Sequence, residues 1–393
     1  MNENNKILKV ENLTKMFGSK KLLAREMLKK GLSKNEVLKK TGVTVAVDNV
    51  SFEVRQGEIF VLIGLSGSGK STVIRCLNML QPPTSGKIYF EGDNIKNYSA
   101  KQLREFRRNK VSMVFQNFGL MSHRDVLSNA AYGLEIKGVS KKEREEKAME
   151  IISMVGLSGW EGQSVLNLSG GMRQRVGIAR ALINNPDVLL MDEPFSALDP
   201  LVRREMQFEL LSIQEKLNKT IVFITHDIDE AFKLGNNVAI MQDGKIIQTA
   251  TPEEMMSNPS NSYVKEFTNS ADKTHVYSVK NIMITPSCLA HSRNGAKNAL
   301  KQMYDNGFSS VFVVGDKLRF VGILTLERAL AVRNGELSFN DAVYTDVPTT
   351  QLETPVSDLI PIAAKSAFPI AVVDNDNRLK GLVTKAAVLA SLS

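Results

Sequence analysis

The chain has 393 residues, 43% of them hydrophobic and 23% charged, with a formal net charge of +8. That length predicts two or three domains, because a single core rarely grows beyond about 250–300 residues. The composition argues against disorder, and no apolar run approaches the roughly 18–20 residues of a membrane-spanning helix.

The opening MNENNKILKV lacks the basic, apolar and small-residue order of a signal peptide. Two cysteines, Cys76 and Cys288, cannot build a disulfide framework, so a reducing cytoplasm is expected. A first strand is predicted over Ile7–Leu13. From Lys20 to Lys40 follow eight basic residues (Lys20, Lys21, Arg25, Lys29, Lys30, Lys34, Lys39, Lys40) and two acidic ones (Glu26, Glu36). Residues 272–393 hold 13 basic and 11 acidic residues and the remainder holds 29 of each, so the excess charge is local. Such a run reads either as a solvated helix face or as a contact for anionic lipid headgroups or an acidic partner. The segment predicts two short helices. Leu22, Leu23, Met27 and Leu28 mark the apolar face of the first, and Gly31 stops it. Ser33-Lys-Asn-Glu36 has capping-box spacing and starts the second, which bears Val37 and Leu38.

Strands are predicted over Val45–Val54 and Glu58–Ile63, then a glycine-rich loop entering a helix. Lys101–Gly156 has a helical composition. Short apolar strands at Asp187–Asp192 and Thr220–Thr225 alternate with helices, which indicates an α/β core with a largely parallel sheet. Val238–Gln242, Asp243-Gly244 and Lys245–Gln248 give a hairpin signal. The polar stretch 268–278 reads as a linker. Beyond it an apolar strand, a turn and a Gly-apolar-apolar-Thr strand entering a helix occur twice, with Thr325 and Thr384 in matching places.

Gly64-Leu-Ser-Gly-Ser-Gly-Lys-Ser71 fits G-x-x-x-x-G-K-[ST] between a strand and a helix, the context that phosphate loop requires. Its glycines let backbone N–H groups converge on a phosphate at a helix N-terminus. Ser66, Gly67, Ser68, Gly69, Lys70, Ser71 and Thr72 are the candidate nucleotide-binding residues. Lys70 reaches the β- and γ-phosphates, and the Ser71 hydroxyl ligates Mg²⁺. Val188-Leu-Leu-Met-Asp192-Glu193 ends an apolar strand in two carboxylates. Asp192 suits Mg²⁺, and Glu193 suits the orientation and deprotonation of an attacking water. His226, in Thr225-His226-Asp227, ends the next strand at the same sheet edge.

With these motifs the chain resembles the nucleotide-binding subunits of ATP-binding cassette (ABC) transporters. Leu168-Ser-Gly-Gly-Met-Arg-Gln-Arg175 matches the family's signature motif, Ser196-Ala-Leu-Asp199 its D-loop, and Gln116 its Q-loop glutamine. The resemblance covers 7–267 and implies an ABC-type P-loop ATPase domain over 1–267, with the basic helical insertion at 18–42 and a helical subdomain at about 117–175. It implies a head-to-tail homodimer that sandwiches ATP. Ser169 and Gly171 would then contact the γ-phosphate from the partner copy, Gly170 and Asp199 would be further nucleotide-binding residues, and Gln116 would join the metal and catalytic set. Phe17 fits the family's adenine-stacking position by context, although the insertion sets it apart from the phosphate loop and a core role stays open.

The insertion, Gly31-Leu-Ser-Lys-Asn-Glu-Val-Leu-Lys-Lys-Thr-Gly42 and Met113-Val-Phe-Gln-Asn-Phe-Gly-Leu-Met121 resemble the ATPase subunits of glycine betaine/proline-type osmoprotectant importers. That similarity implies an integral membrane permease, a substrate-binding domain or protein reached through it, and a place at the cytoplasmic face of the membrane. Each C-terminal repeat is similar to a CBS motif, so 279–393 is expected to be an α+β tandem CBS pair. The family's ribose-binding acidic position is Arg328 in one copy and Ala387 in the other, which counts against ATP or AMP in the usual clefts. A structural dimerisation module and a site for a dinucleotide such as cyclic di-AMP both stay open. Ser310, Val311, Pro369 and Ile370 are the expected lining. A soluble ABC protein acting on DNA or in translation is a rival, opposed by the lack of a pervasive basic surface for nucleic acid. A CBS nucleotide sensor with a degenerate ATPase is another, opposed by the intact Lys70, Asp192, Glu193 and His226.

Overall fold

A computed structural model describes residues 6–269, 276–286, 288–293 and 295–391. The chain divides into two units, Met1–Ala271 and Asp272–Ser393. Most of the stretch expected as a linker lies outside the described residues.

The first unit begins with β1 (Lys6–Phe17), α1 (Lys21–Lys29), α2 (Lys34–Thr41), β2 (Thr44–Arg55), β3 (Ile59–Ile63) and α3 (Lys70–Leu77). It continues with β4 (Ser85–Phe90), β5 (Asp93–Asn94), α4 (Ala100–Asn109) and β6 (Val111–Val114). Three helices follow, α5 (Val126–Ile136), α6 (Lys141–Met154) and α7 (Gly170–Leu182). The unit closes with β7 (Val188–Asp192), α8 (Pro200–Leu217), β8 (Thr220–Thr225), α9 (Ile228–Leu234), β9 (Asn237–Gln242), β10 (Lys245–Ala250), α10 (Pro252–Ser257) and α11 (Ser262–Thr268).

Two sheets result. One is antiparallel, in the order β2-β1-β4-β5. The other, β10-β9-β3-β8-β7-β6, is parallel from β9 to β6 with β10 antiparallel at its edge. Every residue of β3, β7 and β8 is buried. Strands covered on both faces need continuous apolar runs, and those are the runs visible in the sequence. Val73, Ile74, Cys76 and Leu77 of α3 share one core with Leu13 and Val50 of the first sheet and Leu62 and Val222 of the second. The helix that starts at the phosphate loop is thereby clamped.

The β9–β10 turn is the expected two-residue hairpin, with positive φ at Asp243 (49°) and Gly244 (76°). Three expectations need correction. The segment 101–156 is not wholly helical, because β6 pairs with β7 inside it. β1 runs past Leu13 to Phe17, through register shifts around Asn12. The apolar face of α1 is also shifted. Leu22 is 81% exposed and Leu23 42%, whereas Ala24 is buried with Met27 and Leu28 packed beside it. Positions 24, 27 and 28 form one i, i+3, i+4 stripe, and a short helix on a small core has room for no more. The α2 capping box is present, with Ser33 and Glu36 bonded reciprocally, and Gly42 caps the end in the left-handed conformation. The α7 helix runs past 175, and Val176, Ile178, Ala179 and Leu182 keep it buried to its end.

The second unit contains α12 (Val279–Ile282), β11 (Leu289–His291), α13 (Gly295–Asn306), β12 (Ser310–Val314), β13 (Phe320–Thr325), α14 (Leu326–Arg333) and α15 (Phe339–Ala342). The second half has β14 (Thr349–Thr350), α16 (Val356–Lys365), β15 (Ile370–Val373), β16 (Leu379–Val383) and α17 (Lys385–Ala390). The two sheets, β11-β12-β13 and β14-β15-β16, have the same pairing, parallel then antiparallel. Phe312, Phe320, Ala371 and Leu379 make a core shared by the repeats. The repeated threonines are helix caps: Thr325 and Thr384 accept from the backbone N–H of Arg328 (3.4 Å) and Ala387 (3.0 Å). α12 packs its Val279 with Val356 and Leu359 of the second repeat, so the start of the unit joins the core of its second half.

Candidate active site

Strand register assembles the site. Ile63 of β3 pairs with Thr225 of β8, and Asp192 of β7 pairs with Ile224. Parallel strands in this register deliver the phosphate loop, Glu193 and His226 to one sheet edge, as expected for ligands at the carboxyl ends of parallel strands.

The loop is shaped by close approaches. A Cβ on Gly64 would lie 2.2 Å from the Met241 carbonyl oxygen, and one on Gly69 (φ 105°) would lie 2.3 Å from that of Ala46. Gly67 (φ 80°) faces open space, with nothing within 4 Å of a Cβ there. Lys70 is buried, and its Nζ donates to the carbonyls of Gly64 (2.7 Å) and Leu65 (3.2 Å). Burial holds its ammonium below the usual lysine range, against the opposing pull of Glu193 and Asp192. The Glu193 carboxylate lies 4.0 Å from Lys70 Nζ and 3.1 Å from Nδ1 of His226. Glu193 has φ 47°, and its N–H donates to Ile224 O (3.1 Å), which fixes the backbone of this carboxylate on β8.

Ser71 Oγ donates to Asp192 Oδ1 at 2.8 Å. This pair of hard oxygens beside a phosphate cradle fits Mg²⁺, which keeps several waters and takes its other ligands from phosphates. Arg75 reaches the second Asp192 oxygen at 3.4 Å. The sequence reading missed it, although its i+4 spacing from Ser71 on α3 was a usable signal. Gln116 Nε2 donates to Ser196 Oγ at 3.4 Å.

A cleft of about 890 Å³ opens over the loop, lined by Ser66, Gly67, Gly69, Lys70, Ser71, Thr72, Gln116 and Glu193. Not every expected residue joins it. Ser68 is buried with its hydroxyl turned inward, while its carbonyl accepts from Gly244 N–H. Phe17 is not among the lining residues; it pairs with Thr44, which is, and Lys15 Nζ sits 5.0 Å over its ring. Ser169, Gly170, Gly171 and Asp199 are also absent from the lining. Ser169 and Asp199 cap α7 and α8 at exposed positions, and a Cβ on Gly171 would meet Val202 at 2.5 Å. Glu193 thus lines this cleft, whereas the cap of the α7 helix does not.

In the second unit, a largely apolar cleft of about 720 Å³ is lined by Phe308, Ser310, Val311, Phe368, Pro369 and the two capping threonines, among others. Ile370 is instead buried in the core of the second repeat, which corrects its expected lining role. Arg328 lies 3.7 Å over the Tyr344 ring and donates to the carbonyls of Asp341 and Ala342, so its guanidinium already has partners within the unit.

Comparison with known proteins agrees with this geometry. The ABC transporter family profile matches residues 47–196, and the CBS domain profile matches 279–335 and 340–393. The glycine betaine/carnitine transport ATP-binding protein GbuA of Listeria monocytogenes is 49% identical, over 98% of this chain and 97% of the relative. The glycine betaine transport ATP-binding protein OpuAA of Bacillus subtilis is 47% identical, over 98% and 92%. The glycine betaine/proline betaine transport system ATP-binding protein ProV of Escherichia coli is 43% identical, over 98% and 97%. Among solved structures, an ATP-binding cassette dimer in a post-hydrolysis state bound to ADP and Pi matches with a TM-score of 0.53 and 31% identity, over 62% of this chain and 98% of that one. The chain belongs to the ABC transporter family, as one of its CBS-bearing ATP-binding subunits of the glycine betaine type, and is an ATPase coupled to transport.

Proposed function

We propose that the chain powers a membrane importer for glycine betaine and related quaternary amines, including proline-type osmoprotectants, from the cytoplasmic face of the membrane. The observation that carries this reading is near-full-length similarity to three relatives whose names specify glycine betaine transport. ATP occupies the cleft over the phosphate loop. Lys70 and the loop N–H groups hold its phosphates, and Ser71, Asp192 and Gln116 hold Mg²⁺. That ion, when bound, offsets phosphate charge.

Glu193 accepts a proton from the attacking water as the water oxygen bonds to the γ-phosphorus. The bond from that phosphorus to the β–γ bridging oxygen breaks, and ADP leaves. His226 positions Glu193 through the 3.1 Å contact. Two copies act head to tail, so that Ser169, Gly170, Gly171 and Asp199 of the second copy complete each site. The exposure of Ser169 and Asp199, which cap their helices outside the lining of the cleft, supports that assembly. Closure of the dimer couples hydrolysis to the permease.

Two regulatory inputs belong to the proposal. The aromatic, apolar cleft of the CBS pair suits the bases of cyclic di-AMP better than a phosphate chain. Around α1 and α2, Lys20, Lys21, Arg25, Lys29, Lys30, Lys39 and Lys40 are exposed beside Leu22 and Leu23. A cationic surface with protruding leucines suits anionic lipid. Its hold weakens as the Debye length falls from about 10 Å at 0.1 M salt to about 3 Å at 1 M, which makes it a sensor of ionic strength.

The test is ATPase activity of the chain co-purified with its permease and substrate-binding component in vesicles of defined anionic lipid content. Glycine betaine is expected to stimulate turnover, with a salt threshold that moves when the exposed insertion lysines are neutralised. Absence of stimulation by any quaternary amine refutes the substrate assignment, and an unmoved threshold refutes the sensor.

A further inference from the structure

We propose that α2 of the basic insertion forms one wall of the nucleotide subsite, with Lys34 as a cation that contacts the bound nucleotide and Leu38 as its apolar neighbour. This rests on the reading of the cleft as the ATP site and deepens it. The cleft is not walled by the ATPase core alone: Leu32, Ser33, Lys34, Asn35 and Leu38 line it together with the phosphate loop. The wall is firmly seated. Val37 and Thr41 are buried, and Val37 packs with Met16, Ala24, Val43 and Val45 in a small core between the insertion and the first sheet.

Lys34 is the first residue of α2, and its Nζ lies 3.1 Å from where a Cβ on Gly244 would stand. Gly244 in turn donates its N–H to the Ser68 carbonyl of the phosphate loop at 3.0 Å. The ammonium is thus one residue away from the loop.

The energetics of Lys34 are otherwise unaccounted for. It is half-buried, and no ion pair within 4.0 Å forms to it among the described residues, whereas nearby Lys245 pairs with Asp48 at 3.4 Å. It sits at the positive end of a helix, where a cation is unfavourable and an anion favourable. Burial lowers its proton affinity against the weaker influence of Asp243 and Asp48. A desolvated, unpaired cation beside a phosphate cradle is relieved when an anion binds. The other insertion lysines are exposed, which sets Lys34 apart from them.

The test is equilibrium titration of the full chain with MgATP at fixed ionic strength and without lipid. Lys34→Ala is expected to weaken affinity about tenfold, Lys34→Glu more, with Lys34→Arg restoring most of it. Leu38→Ser is expected to weaken it by a smaller factor. In turnover assays KM rises while kcat at saturating MgATP is kept. The double substitution Lys39→Ala, Lys40→Ala removes twice the charge from the same helix and is expected to leave affinity within about twofold. Lys70→Ala serves as reference. Wild-type affinity in both Lys34→Ala and Lys34→Glu, with Lys70→Ala impaired, overturns the proposal. Wild-type affinity in Lys70→Ala overturns the reading of the cleft itself.

Discussion

Two glycines of the phosphate loop separate the loop's chemistry from its architecture. At Gly67 (φ 80°) a methyl group would enter open space, and at Gly69 (φ 105°) it would stand 2.3 Å from the Ala46 carbonyl oxygen in β2. A left-handed alanine costs about 1–2 kcal/mol, and part of that is offset because alanine has less unfolded-state freedom to lose. Gly67→Ala is therefore expected to destabilise the ATPase unit by about 1 kcal/mol, a shift of roughly 2–4 °C in its thermal transition. Gly69→Ala adds a contact with backbone that cannot rotate aside. Overpacking of that kind costs about 1–3 kcal/mol more, so its transition should fall at least twice as far. MgATP binding should reverse the ranking of the milder variant. Gly67→Ala folds but loses affinity by at least about tenfold, because its methyl occupies the space through which the loop N–H groups meet phosphate. Thermal unfolding and MgATP titration of both variants decide the matter. Undiminished MgATP affinity in Gly67→Ala would refute the cradle, and equal losses of stability would refute the close approach to β2.

Further outcomes follow from other polar groups. Glu230 is buried and accepts from Gln207 Nε2 at 3.1 Å, and desolvation raises its pKa above the usual glutamate range. The folded state then holds this proton more tightly than the unfolded state, so stability falls as pH rises from the ordinary glutamate pKa through the raised one. Glu230→Gln is expected to be stabilising relative to wild type at pH 8 and less so at pH 5; a difference in melting temperature independent of pH contradicts this. Arg75→Ala removes the cation 3.4 Å from Asp192. It is expected to leave Ser71–Asp192 in place and raise the Mg²⁺ concentration needed for half-maximal turnover at most a few-fold, since the side chain is half exposed; a complete loss of turnover contradicts a supporting role. Arg328→Ala breaks a 3.7 Å cation–π contact with Tyr344 and two bonds to carbonyls. A loss of about 1–2 kcal/mol is expected, read as faster amide exchange in α14 and α15; unchanged exchange contradicts it.

Much of this was legible because continuous apolar runs and glycine-rich turns are local signals. β3, β7 and β8 are buried on both faces and read as strands at once, and the chemistry sits at their ends. β6 was hidden because four residues flanked by helical composition carry too little pattern. The face of α1 was misread because two adjacent leucines outweighed an alanine that a tight contact required. Lys34 was grouped with seven other basic residues, since sequence cannot tell which lysine of a cluster folds back over the site. That Glu193 lines the cleft and Ser169 does not is a matter of tertiary geometry, which no local pattern carries.

The central claim is that Glu193, held between Lys70 and His226, is the base for ATP hydrolysis. The direct measurement is MgATP binding and single-turnover hydrolysis of Glu193→Gln in parallel, on the chain assembled with its permease. The account predicts retained binding with hydrolysis slowed by about 10²–10⁴-fold. Wild-type hydrolysis by Glu193→Gln contradicts it.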